Sequence, residues 1–569
     1  MRKYIHLLLV ILGISLFSCE NFLEPIADTR LSEEELLKDP AFLEGLLLSA
    51  YNALPNDYDF GIDVAAGDAV TNLQGSPYTL MSTGGWKSSF NPISQWETSF
   101  NQIYNINLFL EKYGSIVWAN DPRISQSDNA KKSALHLKRL KGEAYGLRAW
   151  YEFQLLQYHA GKAADGRLLG FPIIKKALKT TDNWKLPRNT FSECVKQIMD
   201  DLDTATTYLP KVYADISGDG IYNATMGARY ENRMNGNAAG ALKSRVALLA
   251  ASPSFSQASN VTWEEAATIA GSLCKELGGL YAGGIEFYSE ISNKEIIWNR
   301  ARRQIRSWET DNFPPSLFGK GRTNPSQSLI EAFPMKNGYP ISQSTTPAFD
   351  PSKPYDNRDA RLLKYIICNG SSFKSEIINT YIGADMNGIN ALVSSTRSGY
   401  YLKKFMNEGV NLDPLNVANA PHTYTLFRMT EVLLNFAEAA NEAWGPDADP
   451  NGYGFTARTK IGDLRKRAGI TADTYLASLD KDGLRDLIQN ERRIELCFEG
   501  FRFWDIRRLN KISDLNVPVS GAYITQETGT PTSYRYENIE ERKFDSYMIY
   551  GPVPYNEILK YDIIQNAGW

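Results

Sequence analysis

The sequence is poor in the residues that build metal centres and disulfide frameworks. Its 569 residues include four histidines and five cysteines, and no two cysteines stand at CxxC spacing. Zinc sites and histidine metal clusters need several such residues in defined patterns, so we predict no metal site and no cofactor. Cys194, Cys274, Cys368 and Cys497 are too dispersed for a dense disulfide framework, and we predict buried free thiols.

An excess of positive charge is also absent. Lysine and arginine total 61 against 65 acidic residues, the formal net charge is −4, and no basic block occurs. Nucleic acid binding depends on a concentrated positive surface, so a nucleic acid partner is not expected. The enzyme signatures GxSxG, P-loop and HExxH are missing too. A glycoside hydrolase remains an alternative, because its two opposed carboxylates follow no fixed sequence pattern.

Long apolar runs are absent except at the N-terminus. Arg2 and Lys3 precede an apolar run over residues 4–17, which is shorter than the roughly 20 residues of a membrane-spanning helix. This order predicts a secretory signal peptide over residues 1–18. The alternative is a soluble chain that begins with an apolar core segment, but a core helix does not require this charge order.

The letters LFSC, which end at Cys19, resemble the lipobox of bacterial lipoproteins. Such a cysteine becomes the first mature residue and carries acyl chains, each contributing about 0.8 kcal/mol per methylene buried in the membrane. We therefore predict lipidation of Cys19 and a lipidated tether over residues 19–30. The protein would be anchored to a membrane face without spanning it.

Hydrophobic periodicity divides the rest of the chain into three parts. Residues 31–282 carry amphipathic helices and are predicted to form an N-terminal helical scaffold with a ligand loop at 55–91. Residues 283–421 are loop-rich, with short apolar runs that predict strands. Residues 422–569 add helices and a closing segment that packs on the same scaffold. The predicted fold is mostly α, a tetratricopeptide-like helical-repeat scaffold with a large loop-rich region carrying short strands.

Six stretches, in order along the chain, resemble the SusD/RagB-type outer-membrane nutrient-binding lipoproteins of the Bacteroidetes. They are WETSFNQIYNINLFLE, GEAYGLRAWYEFQLLQYHAG followed by GFPII, NPSQSLIEAFPMKNGYPI, FRMTEVLLNFAEAANEA, NERRIELCFEGFRFWDIRRL and YGPVPYNEILKYDIIQNAGW. With the lipobox, they extend from about residue 20 to the last residue. The resemblance implies a helical scaffold with ligand-binding loops on one face.

The same resemblance implies a function at the cell surface. Such proteins are not enzymes; they capture an oligosaccharide or polysaccharide and deliver it to a TonB-dependent outer-membrane barrel of the SusC type. A RagB-like protein would capture a peptide instead. A purely structural surface scaffold is a further hypothesis, because helical repeats also serve that role.

Ligand-binding residues vary within this family, so candidates must come from the residues themselves. Aromatic side chains form 12 % of the chain, and those on polar loops present flat faces that stack on sugar rings. Polar neighbours would bind the sugar hydroxyls. The candidates are Trp86, Tyr78, Asp68, Asn72, Trp308 and Arg306.

Two kinds of tryptophan are distinguished by their surroundings. Trp86, outside any periodic stripe, either stacks on a ligand or fills a gap in the core. The tryptophans within helical segments are predicted to belong to the core, namely Trp96, Trp150, Trp444 and Trp504.

Two acidic stretches and one charged segment have structural interpretations. DISGDG at 215–220 and DADPNG at 447–452 match the first half of a calcium loop, but position twelve is not glutamate, so capped turns are favoured. The charged residues of the 491–507 segment are predicted to form ion pairs at helical spacing.

Overall fold

Helices dominate a computed structural model that describes residues 33–290, 292–526 and 532–569. The predicted signal peptide, Cys19 and the tether lie outside the described residues. The α-helices are α1 Glu33–Leu36, α2 Pro40–Asn52, α3 Phe60–Ala66, α4 Pro77–Ser82, α5 Trp96–Lys112, α6 Gln126–His159, α7 Phe191–Tyr208, α8 Gly220–Met226, α9 Gly236–Ala251, α10 Trp263–Leu277, α11 Ser307–Asn312, α12 Gln327–Ala332, α13 Ala360–Tyr365, α14 Met429–Trp444, α15 Ala457–Arg467, α16 Thr474–Ser478, α17 Lys481–Glu495, α18 Arg502–Arg508 and α19 Tyr555–Lys560.

Short strands accompany the helices and pair only in twos within the described residues. They are β1 Ala69–Thr71, β2 Gly161–Lys162, β3 Leu168–Leu169, β4 Ile296–Asn299, β5 Arg303–Ile305, β6 Thr323–Pro325, β7 Ile366–Ile367, β8 Ser371–Phe373, β9 Glu376–Ile378, β10 Tyr401–Leu402, β11 Ala420–His422, β12 Thr425–Arg428, β13 Val519–Thr525 and β14 Ser533–Glu540. The antiparallel pairs are β1–β6, β2–β3, β4–β12, β5–β11, β7–β10, β8–β9 and β13–β14.

The long helices form one connected scaffold. Helix α6 packs against α5 and α7, α9 packs against α7 and α10, and α14 packs against α10 and α17. Their apolar faces share one large core, in which Leu147, Phe153 and Leu433 are each at most 1 % exposed. A second core, around Tyr365 and Tyr401, lies in the loop-rich region. This arrangement confirms the predicted helical scaffold with a loop-rich region.

The early loop at 55–91 contains more regular structure than its Gly, Ser and Pro content predicts. The side chain of Asp59 caps α3, and that of Ser76 caps α4, which has Pro77 in its first turn. These capping residues stabilise short helices despite the turn-rich composition. Strand β1 then pairs with β6, with Ala69 opposite Pro325, and so joins the early loop to the loop-rich region.

The charged segment near residue 500 is structural, as predicted, but its partners are different from those predicted. Arg492 pairs with Asp505 at 2.8 Å and Arg493 with Asp68 at 2.5 Å, so distant contacts replace most pairs at helical spacing. Arg507, which was predicted to form an ion pair, donates a hydrogen bond from Nε to the Ile549 carbonyl. We define the charge cluster as seven buried residues that join the loop-rich region to the C-terminal helices: Asp359, Arg361, Lys404, Arg428, Arg465, Glu491 and Glu495.

The two acidic stretches form capped turns, which agrees with the favoured interpretation. Asp219 caps α8 and pairs with Lys131 at 2.8 Å. Asp447 pairs with Arg458 at 2.7 Å, and Asp449 accepts hydrogen bonds from the Tyr453 and Gly454 amides. The oxygens that a cation would need are therefore engaged within the protein.

Two further sequence predictions can be compared with the structure. Cys194, Cys274, Cys368 and Cys497 are buried free thiols, as predicted. Across the described ranges, no helix combines the length and the apolar character that crossing a bilayer requires.

Candidate functional site

A cavity of about 620 Å³ opens where the early loop meets the loop-rich region. The early loop contributes residues 57–61, 64, 71, 73 and 76–78 to its lining, and the loop-rich region contributes residues 307, 308, 311, 312, 322 and 323. The β1–β6 pair fixes the two sides relative to each other. We name this the loop cavity; its size is in the range of cavities that bind small ligands.

Tyr78 forms one wall of the loop cavity. Its half-buried ring lies over Gly61, where an added Cβ atom would come within 2.2 Å of the ring. The hydroxyl donates to the Asp59 carboxylate, which also accepts from the Gly61 amide. Burial raises the pKa of both Asp59 and Tyr78. The absence of a side chain at residue 61 therefore allows this ring to lie flat beside the cavity.

Trp308 also lines the loop cavity and is held in place by its neighbours. It is 6 % exposed, and its Nε1 donates to Asp57 Oδ1 at 2.6 Å. The ring meets Tyr58 at a centroid distance of 5.3 Å and His422 at 4.7 Å, both edge-on. Trp308 therefore contributes a small, fixed apolar surface to the cavity wall, next to the Asp57 carboxylate.

Asp68 and Asn72, predicted as ligand contacts, are buried and do not line the loop cavity. Asp68 is 1 % exposed and pairs with Arg493. Asn72 donates to the carbonyls of Lys320 and Gly321 at 2.9 Å. Both side chains are engaged within the protein and hold the cavity in place.

Trp86, predicted either to stack on a ligand or to fill a gap, lies in the core and does not line the loop cavity. The ring is 1 % exposed, its Nε1 donates to Asn91 Oδ1 at 3.0 Å, and the ring meets Trp569 at 4.8 Å and Phe503 at 5.9 Å. The Arg507 guanidinium lies 5.4 Å from the ring centre. Trp86 therefore fills a gap in the core, which is the other role considered for it above.

Arg306 is exposed beside the loop cavity but does not line it. It precedes α11, and its Nη1 donates to Asn419 Oδ1 at 2.9 Å. Of the six candidates, Tyr78 and Trp308 therefore line one cavity. Asp68, Asn72 and Trp86 are buried elsewhere, and Arg306 lies outside.

Arg322 is a lining residue that the sequence did not reveal. Within the described residues its side chain makes one hydrogen bond, from Nη1 to Asn72 Oδ1 at 3.4 Å, and no ion pair with a carboxylate. Its backbone amide donates to the Asp311 carbonyl, which positions it beside α11. The feature of the sequence that could have identified Arg322 is its position within the Gly-rich stretch GKGRTNP. A guanidinium without a carboxylate partner can donate several hydrogen bonds to a ligand.

The tryptophans predicted to be core residues differ in exposure. Trp96 and Trp150 are each 5 % exposed and belong to the large core, as predicted. Trp444 and Trp504 are half-buried and pack against the cores with part of each ring accessible.

Two family models match this chain. Residues 22–248 match the model described as "Starch-binding associating with outer membrane", and residues 294–569 match the model described as "SusD family". Together the two models cover most of the sequence, including all six stretches quoted above. The chain belongs to the SusD family.

Relatives and solved structures agree with this assignment. SusD-like protein P38 of Formosa agariphila is 23 % identical over 539 residues, covering 92 % of this chain and 93 % of P38. The structure of a SusD-like protein from Bacteroides fragilis matches with a TM-score of 0.73 at 23 % identity, covering 95 % of this chain and 99 % of that one. A structure described as a laminarin-binding SusD-like protein matches with a TM-score of 0.56 at 17 % identity, covering 94 % and 100 %. These structures confirm the predicted fold.

Proposed function

We propose that this protein binds a glycan in the loop cavity and has no enzymatic activity of its own. The observation that carries the proposal is that Tyr78 and Trp308 line one cavity together with Arg322, whose guanidinium has no carboxylate partner among the described residues. Aromatic surfaces beside hydrogen-bonding groups suit sugar rings, which have apolar faces and hydroxyl edges. The laminarin-binding and starch-binding descriptions of similar proteins support the same ligand class.

The proposal extends to the place where binding occurs. Lipidation at Cys19 would anchor the protein in the outer membrane, exposed at the cell surface, where it would deliver the glycan to a SusC-type TonB-dependent barrel. The lipobox letters and the outer-membrane description of the matched family support this location. Replacement of Cys19 by alanine should release the protein from the membrane fraction.

The first experiment is a glycan array, combined with a peptide pool, using soluble protein that begins after Cys19. We expect saturable glycan binding that Tyr78→Ala weakens at least about tenfold, equivalent to about 1.4 kcal/mol. Tyr104→Ala is the matched control, because Tyr104 is 40 % exposed on α5 and lies outside the loop cavity.

Other outcomes identify the alternatives. Binding of peptides without glycans would favour a RagB-like peptide-capturing protein. Hydrolysis of a bound oligosaccharide by pure protein would identify a glycoside hydrolase, and the absence of any saturable ligand would favour a structural scaffold.

A further inference from the structure

A second cavity, of about 460 Å³, lies next to the loop cavity on the side of the helical scaffold. We name it the helix cavity. Its walls include Gln95, Gln154, Gln157, Tyr158, Tyr424 and Trp504. Gln154, Gln157 and Tyr158 come from α6, which is part of the scaffold and is rigidly packed on both sides.

Several polar groups in the helix cavity have no partner within the protein. The side-chain amides of Gln95, Gln154 and Gln157 and the hydroxyls of Tyr158 and Tyr424 make no hydrogen bond to any residue that the structure describes. All five side chains are half-buried. Because these groups are half-buried and have no partner among the described residues, their hydrogen-bonding capacity is available to a bound molecule.

Aromatic rings stand beside these polar groups. Tyr158 and Trp504 are in contact at a centroid distance of 4.3 Å, and Tyr58 and Tyr424 at 4.7 Å. The helix cavity therefore offers the same chemistry as the loop cavity, with apolar ring surfaces edged by neutral hydrogen-bonding groups.

Each arginine in the wall of the helix cavity has a carboxylate partner within 3.3 Å: Arg245 with Glu431, Arg428 with Glu495, and Arg492 and Arg508 with Asp505. A negatively charged ligand would have to displace one of these partners at a high desolvation cost. The Asp59 carboxylate has no cationic partner among the described residues and accepts hydrogen bonds from Tyr78 and Gly61. The cavity thus disfavours a negatively charged segment and suits an uncharged one whose hydroxyls can donate hydrogen bonds.

The two cavities are contiguous at one short stretch of chain. Asp57, Tyr58 and Asp59 line both of them. The Asp59 carboxylate accepts the Tyr78 hydroxyl hydrogen on the side of the loop cavity. Burial, together with the nearby Asp59 charge, raises the pKa of Tyr158 in the helix cavity. Asp57 and Asp59 are exposed, so a chain lying over residues 57–59 would reach from one cavity to the other.

We infer that the helix cavity binds an uncharged segment of the same glycan chain that occupies the loop cavity. The inference rests on the proposed function and makes it more specific: the preferred ligand is a chain long enough to fill both cavities. Short oligosaccharides occupy the loop cavity alone. Gln154 and Gln157 contact only the long chains.

The test compares chain lengths in a Gln154→Ala/Gln157→Ala double variant. Alanine is a strong helix former and both glutamines are half-buried, so α6 stays intact. The probes are laminari-oligosaccharides and malto-oligosaccharides, each as trisaccharide and heptasaccharide, with binding measured by calorimetry. Gln126→Ala is the matched control, because Gln126 is exposed at the first turn of the same helix and far from both cavities.

We expect the wild-type protein to bind a heptasaccharide more tightly than the matching trisaccharide. The double variant should lose about tenfold in heptasaccharide affinity, as expected for two hydrogen bonds, and keep its trisaccharide affinity. Equal affinities for both lengths in the wild-type protein, or an unchanged heptasaccharide affinity in the double variant, would overturn this inference and leave the proposed function standing. No binding of any probe at either length would count against both.

Discussion

The charge cluster and the loop cavity are both rich in polar groups, but they use them in opposite ways. In the charge cluster, Arg361 contacts Asp359, Glu491 and Glu495 within 3.1 Å, and all four side chains are at most 1 % exposed. In the loop cavity, Arg322 has no carboxylate partner among the described residues. Fully paired buried charges hold two parts of the fold together. A half-buried charge without such a partner is available to a ligand.

The largest expected effect is in the charge cluster. Arg361→Ala leaves three buried carboxylates short of a partner, and we expect it to lower the free energy of unfolding by about 3 to 5 kcal/mol. Urea denaturation measures this loss. The control is Arg535→Ala, whose side chain is 71 % exposed in a pair with Glu537 and should cause no measurable change. Equal losses in both variants would mean that burial does not distinguish these ion pairs.

The next effect concerns Trp86, a buried aromatic residue of the early loop. Trp86→Ala removes a fully buried ring and should cost about 3 kcal/mol of stability through lost burial and a residual cavity. The folded fraction should bind glycan with unchanged affinity, because Trp86 does not line the loop cavity. A stable Trp86→Ala protein that no longer binds glycan would restore Trp86 as a ligand contact.

The charge cluster also predicts how stability depends on pH. Burial alone would raise the pKa of Glu495, but the guanidinium groups of Arg467, Arg428 and Arg361 outweigh burial and hold this pKa at about 2. The folded-state pKa lies below the ordinary value of 4.5. The stabilisation is therefore fully present above that pH and is lost as the pH falls towards 2. The free energy of unfolding should fall less steeply on acidification in Glu495→Gln, and identical slopes would refute this assignment.

The smallest expected effect is in the loop cavity. Arg322→Ala removes hydrogen-bond donors from a bound glycan and should weaken binding about tenfold, with little change in stability. Arg306→Ala is the matched control, because Arg306 is exposed beside α11 and does not line the loop cavity. Calorimetry of both variants measures the difference. A loss in Arg306→Ala without a loss in Arg322→Ala would place the ligand outside the loop cavity.

The helical part of the fold could be predicted because its signals are local. Apolar residues recur at three- and four-residue steps along α6 and α14, and capping residues mark helix ends. The short strands could not be delimited, because their partners are remote in sequence, as Ala69 opposite Pro325 shows. For the same reason the charges near residue 500 were assigned local partners, although Arg493 pairs with Asp68 from the start of the chain.

The candidate site was predicted in part. Tyr78 and Trp308 stand outside helical stripes, and both line the loop cavity. Trp86 has the same local composition, but Trp569 at the other end of the chain contacts its ring, and no local pattern reports such a contact. Arg322 was not identified from the sequence. Its distinguishing feature is that no carboxylate among the described residues pairs with it, and this is visible only in the three-dimensional structure.

We propose above that the loop cavity binds the glycan. The most direct measurement is a crystal structure of the protein with the tightest-binding oligosaccharide from the array. We expect sugar density in the loop cavity, against Tyr78 and Trp308, with the Arg322 guanidinium donating to a sugar oxygen. Sugar bound elsewhere, with the loop cavity free of it, would contradict this proposal.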